Sequence, residues 1–292
     1  MSSSTPAGAR LGLAAIFGST FFALVGYFIL SPLLLLKLKG ADISSTLAGL
    51  FVATGWLGIF IMTPFASSVA NRIGRRQCMW LASSVLMLCA LLFTLTDQLP
   101  LWFALNLVSG IAMSLRWVLS EALIAEFCPP DQRGRYVGIF QTMVSATFII
   151  GPALLVWLGT QSTVTLWVVN ILNMIGLAWT LLIPKVPAAH DTDSARVGLH
   201  GLWHALLAHP IIMLAGFVGG FFETGVTSIL PLYGLALGLS TSAAAVMVSI
   251  SGLGGVVLMI PAGILADRFK DQAQGRRTLM VWSAAVMLIA TL

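Results

Sequence analysis

Long apolar stretches separated by short polar breaks dominate the chain. Reading position by position, apolar segments cover residues 11–36, 46–70, 77–96, 99–128, 136–159, 163–184, 209–237, 241–266 and 278–292. All but the last have the length of roughly 20 residues that a helix needs to cross a bilayer. Barrel strands would be shorter and would alternate apolar with polar residues, so the pattern predicts helices throughout. The last segment reaches Leu292 after about 15 residues, short of a span, and on this pattern the chain reads as cut within its ninth helix.

The polar breaks carry a second pattern. With the N-terminus assigned to the cytoplasm, the inner breaks hold Arg10, Arg72, Arg75, Arg76, Arg133, Arg135, Lys185, Arg196, Arg268, Lys270, Arg276 and Arg277. The outer breaks hold only Lys37 and Lys39, and Arg116 lies within a span. Positive residues mark cytoplasmic loops, and one missed helix would scramble this partition. The longest break, about 185–208, contains Pro187, a polar run from His190 to Ser194, and then Leu199, Leu202, Trp203, Leu206 and Leu207 at helical spacing. It predicts a linker ending in a short helix on the inner membrane surface. The expected organisation is a six-span bundle over 1–184, a cytoplasmic linker over 185–208, and a partial second bundle over 209–292 holding spans seven, eight and part of nine.

Composition changes the picture little. Only 9% of residues are charged, against about 25% in a soluble domain. The net charge of +5 is spread singly or in short clusters between apolar runs, which argues for topology signals and against nucleic-acid binding. Cys78, Cys89 and Cys128 are odd in number and lack metal-ligand spacing, so neither a disulfide framework nor a zinc site is expected. The first apolar segment is too long for a signal-peptide core and reads as a retained span.

Across the linker the sequence repeats itself, as secondary transporters often do. Pro64 and the stretch ending Asn71-Arg72-Ile73-Gly74-Arg75-Arg76 are answered by Pro261, Gly263, Leu265, Ala266, Asp267 and Arg268, with Gly275-Arg276-Arg277 following. Pro32 is answered by Pro231. The offsets stay between about 196 and 199, which points to duplication. In these residues the chain resembles the major facilitator superfamily, whose loop between spans two and three reads Gly-x-Leu-Ala-Asp-Arg-x-Gly-Arg-Arg and recurs between spans eight and nine. Gly263, Leu265, Ala266, Asp267 and Arg268 match the start of that motif. The first copy keeps Arg72, Gly74, Arg75 and Arg76, but has Ser67 for the leading Gly and Asn71 for the Asp, so it lacks the carboxylate of the usual carboxylate-to-arginine latch. The resemblance implies an all-α polytopic fold of two six-helix bundles and twelve spans in all. It also implies that spans one, four, seven and ten line a central cavity. Pro129-Pro130-Asp131-Gln132-Arg133-Gly134-Arg135 is similar to the family's loop between spans four and five. Gly151-Pro152 is a fragment of a motif seen in the family's antiporters. Asn106 stands where the family often has Arg, four residues before Gly110, and that motif's proton-transfer role is not carried over.

Ionisable residues inside spans are costly and mark functional candidates. Arg116 and Glu121 fall in the fourth span and Glu223 in the seventh, with Arg116 and Glu223 near mid-membrane depth. Arg116 and Glu121 are five residues apart, about 140° around an ideal helix, so they do not pair. Glu223, a substrate anion or cavity water are the partners open to Arg116. A static ion pair fixing helix packing is the structural alternative for Arg116 and Glu223. Glu121 and Glu126 lie nearer the inner end, within reach of Arg75 or Arg76. Trp117 offers a ring to a cationic or aromatic substrate, or simple packing. His200 and His204, four apart with His209 near by, lack a matching carboxylate or Cys ligand and read as a solvated face.

These features predict a secondary transporter of a small molecule in the inner (plasma) membrane, proton-coupled, monomeric, working by alternating access and needing no cofactor. Export is favoured over uptake on Gly151-Pro152. An enzyme is not expected, since no metal cluster, Gly-x-Ser-x-Gly element or paired Asp motif lies in the spans. A non-transporting sensor or assembly subunit, or an inactive transporter fragment, is the competing reading.

Overall fold

The computed structural model describes residues 7–159, 163–185, 199–221, 237–238, 241–269 and 272–291, and among them no strand occurs. The helices are α1 (Ala7–Gly40), α2 (Ser45–Met62), α3 (Ala66–Ile73), α4 (Arg75–Leu95), α5 (Leu99–Phe127), α6 (Arg133–Leu158), α7 (Thr163–Leu181), α8 (Leu199–Ala208), α9 (Pro210–Phe221), α10 (Thr241–Arg268) and α11 (Gln272–Thr291). Among the described residues, six stretches are long and apolar enough to cross a membrane, with α2 and α3 forming one of them over Thr46–Ile73. The chain is an all-α, polytopic membrane protein.

The helices start and stop for identifiable reasons. Pro64 has no N–H to donate and cannot continue a regular helix, so a 3₁₀ turn over Thr63–Phe65 separates α2 from α3. Gly74 ends α3 at φ +98°, a conformation that side chains rarely adopt. This is why a glycine stands between the two arginine positions of the first repeat. His209 precedes Pro210 and is pushed out of helical geometry, and α8 and α9 meet there at a bend of 104°. Helix ends run past the apolar limits at α1 and α11, the latter beginning at Gln272 rather than 278. The apolar run marks what lies in lipid, whereas the hydrogen-bonded backbone continues into polar turns.

Packing follows the glycines. In α2, Gly55 and Gly58 lie against Gly110 and Leu107 of α5, so close that a Cβ on Gly58 or Gly110 would strike backbone. Small residues let membrane helices approach when lipid offers no hydrophobic drive to associate. α1 packs on α6 and α7, α4 on α5 and α7, and a core of Ile16, Leu24, Met79, Leu123 and Phe140 fills the space between them. Large side chains such as Phe60, Val156 and Trp157 face outward, Trp157 at 80% exposure. That is the expected pattern for a surface solvated by acyl chains. α10 is held chiefly by α6, its largest helix contact.

Candidate functional site

The two sequence motifs that seemed separate along the chain meet in space. Gly134, at the start of α6, and Gly263, in α10, lie backbone to backbone, and a Cβ on either would strike the other's carbonyl oxygen. One turn further on, Gly138 sits against Met259 and Ile260. The close crossing brings Asp267 to the N-terminus of α6. There the backbone N–H groups of Gly134 and Arg135 donate to its Oδ1 and Oδ2 at 2.8 and 2.7 Å. The first N–H groups of a helix have no internal acceptor and sit at the positive end of its dipole, so a carboxylate there is doubly favourable. Asp267 therefore joins the end of α10 to the N-terminus of α6. Arg268, its neighbour, is exposed at the end of α10.

The first repeat does something different. Asn71 and Arg72 are exposed on α3. Arg75 pairs with Glu126 of α5 at 2.5 Å, the one ion pair among the described residues. Arg76 lies over the Trp80 ring at 4.4 Å and donates to the Leu181 carbonyl at 3.5 Å, while Trp80 Nε1 donates to the Thr180 carbonyl at 3.0 Å. These contacts tie the start of α4 to the ends of α5 and α7.

Within the spans, Arg116 and Glu121 part company as their 140° separation requires. Arg116 is 3% exposed and donates from Nη1 to Ser83 Oγ of α4 at 2.5 Å, and Ser83 Oγ shares a hydrogen bond with Thr180 Oγ1 of α7 at 3.2 Å. Its Nη2 is buried without a partner among the described residues. The residue thus points into the packed interior of the helices rather than toward an open cavity. Glu121 is exposed on another side of α5 and accepts a hydrogen bond from Gln141 Nε2 of α6 at 3.3 Å. Glu223, and with it any pairing to Arg116, lies outside the described residues. So does the polar run from His190 to Ser194, whereas His204 and His209 are described and exposed.

Gln141 and Ser83 escape sequence reading because a lone amide or hydroxyl in an apolar run carries no charge signal. The available signal is spacing, since Gly134, Gly138 and Gln141 recur at the i, i+4, i+7 positions of one stripe on α6. Only the partner helix was illegible.

A family model described as the Major Facilitator Superfamily matches residues 16–292. The uncharacterized MFS-type transporter YfkF of Bacillus subtilis is 21% identical over 241 residues, 82% of this chain and 60% of that protein. The chain therefore spans about 60% of the length of that curated relative. Two solved structures share the fold at 17% identity. They are the human organic anion transporter MFSD10 (TETRAN), with a TM-score of 0.71 over 90% of this chain and 73% of that one, and the proton:xylose symporter XylE bound to 6-bromo-6-deoxy-D-glucose, with a TM-score of 0.67 over 91% and 70%.

Proposed function

The chain belongs to the major facilitator superfamily, and from that premise we propose that it is a proton-coupled secondary transporter of a small molecule, working by alternating access in the inner (plasma) membrane. The observation that carries this reading is the Asp267 carboxylate on the α6 N-terminus. It joins two repeat units by a few directional bonds over a glycine crossing, the kind of seam that closes in one state and parts in another. In this proposal residues 1–184 form one bundle, 185–208 a cytoplasmic linker whose α8 lies on the membrane surface, and 209–292 part of the second bundle. The two rock about a midplane site, and the N-terminus is cytoplasmic.

Glu223 is the proposed coupling residue. A carboxylate at the bilayer midplane has its charged form penalised by desolvation, which favours loading of a proton. An environment that changes with cavity direction then releases it, linking protonation to access. Export is the proposed direction, supported by Gly151-Pro152 in α6, where Gly151 packs against Phe28 of α1.

The test is reconstitution in liposomes. Glu223→Gln mimics the protonated acid, so gradient-driven accumulation is expected to vanish while substrate exchange without a gradient persists. Normal gradient-driven transport by the Gln variant overturns the assignment.

A further inference from the structure

Two five-residue stretches of the same design meet between α1 and α6. Phe28-Ile29-Leu30-Ser31-Pro32 lies in α1 and Phe148-Ile149-Ile150-Gly151-Pro152 in α6. Each proline stands inside an otherwise continuous helix. Having no N–H, Pro32 cannot donate to the Phe28 carbonyl four residues back, nor Pro152 to that of Phe148, and each ring crowds the same oxygen. Sharp bending of helices concentrates at such prolines. The two residues whose carbonyls lose their donor are also the two that touch. The Phe28 and Phe148 rings pack with centroids 4.0 Å apart, and a Cβ on Gly151 would strike the backbone of Phe28.

The packed core divides at the same level. On the N-terminal side of the prolines, Ile16 and Leu24 of α1 share one cluster with Phe140 and Val144 of α6. On the far side, Leu33 of α1 and Leu155 of α6 belong to a separate cluster together with Val169 of α7. A bend at one proline alone would draw Leu33 away from Leu155 and part the two rings. Bending at both preserves each contact. We propose that α1 and α6 bend as one unit about the Phe28–Phe148 contact, so that residues 33–40 and 153–158 move together as a gate on the outer side. α6 then has its N-terminus tied to α10 by Asp267 and its other end on a hinge shared with α1. The use of this unit as a gate rests on the transporter reading, whereas the coupled bending does not.

Double electron–electron resonance on the purified full chain in lipid nanodiscs, without substrate or gradient, tests the coupling. Nitroxides are placed in pairs, with the three buried native cysteines replaced by alanine. Exposed Leu36 of α1 and Val156 of α6 report the outer ends. Exposed Leu81 of α4, which lies between Met79 and Ala82 of the first cluster, is the fixed point. The Val137–Leu81 pair, with Val137 exposed on the N-terminal part of α6, gives the width of a rigid distance. Leu36–Leu81 and Val156–Leu81 are expected to be broad or two-peaked, and Leu36–Val156 to be as narrow as the rigid pair. Phe148→Ala should broaden Leu36–Val156. Pro32→Ala supplies the missing donor in α1 and should shift the bent fraction at both outer labels by about fivefold. A Leu36–Val156 distribution as broad as the other two overturns the coupling, and narrow distributions throughout overturn the bending. Neither comparison needs a proline variant to fold. An effect of Pro32→Ala confined to the α1 label overturns the proposal as well. Because no transport is measured, failure here leaves the Glu223→Gln test untouched, and failure of that test leaves these distances readable.

Discussion

Arg75 and Arg116 bring the same guanidinium into different surroundings, and their energetics diverge accordingly. The Arg75–Glu126 pair keeps 21% and 33% of its side-chain surfaces in solvent. Screening and side-chain entropy leave such a pair with about 0–1 kcal/mol. Arg116 is buried, cannot discard its proton, and depends on Ser83 for the acceptor of Nη1. Removing that acceptor strands a buried donor, which costs about 1–3 kcal/mol and more when the group is charged. Ser83→Ala is therefore expected to lower the thermal midpoint of the purified protein clearly, and Arg75→Ala to leave it nearly unchanged. Equal losses in a thermal melt would mean that Ser83 is not the support Arg116 relies on. The pair of arginines also shows the reach of sequence reading. Its charge and depth single out Arg116, but the Ser83 and Thr180 hydroxyls that receive it come from helices 33 and 64 residues away in the chain and carry no signal of their own.

At the scale of elements, the α6–α10 crossing is held by glycine contact and by one carboxylate. Cys128 reports on it, being 4% exposed and electrostatically coupled to both Arg133 and Asp267. Burial pushes its thiol pKa above the ordinary value, so at neutral pH the thiolate fraction is small and alkylation is slow while the seam is closed. Asp267→Asn removes the charge that complements the α6 dipole and weakens two charge-assisted hydrogen bonds. A loss of about 1.4 kcal/mol would shift the closed–open balance roughly tenfold. Maleimide labelling of the peptide holding Cys128, read by mass spectrometry, is expected to accelerate by about that factor. Gly263→Ala should act in the same direction, since its Cβ would meet the Gly134 carbonyl oxygen. Asn71→Ala should do little, because Asn71 is exposed on α3 and carries no charge. Equal acceleration by Asn71→Ala and Asp267→Asn would return both repeats to simple topological anchoring.

At the scale of the whole molecule, orientation is a property of the summed charge rather than of any contact. Twelve of the fifteen basic residues fall on one side of the proposed topology. A small tag inserted at Gly40 is expected to be reachable by an impermeant reagent from outside intact cells, and one at Asp193 only after the membrane is opened. Labelling of Asp193 from outside would overturn the topology and the functional argument that depends on it.

What the sequence by itself determined is everything that follows from local periodicity and from short motifs. Spans appear because about 20 apolar residues are self-sufficient in hydrogen bonding and need only lipid. The break at Pro64 and the turn at Gly74 follow from single residues' covalent geometry, but the unbroken apolar run 46–70 hid the first and only the folded backbone displayed both. The repeat was legible in the offsets, and it named Asp267 before any contact was known. Which groups meet across the fold was decided only by tertiary structure. No periodicity announces that the Asp267 carboxylate ends on the N–H groups of Gly134 and Arg135, or that Gln141 reaches Glu121. Five residues' separation on α5 shows that Arg116 and Glu121 diverge, but not that one turns into the packed interior and the other onto an exposed face beside Gln141. That choice belongs to the neighbours, because a helix carries its faces with it and only the packing of glycine against glycine selects which face meets which.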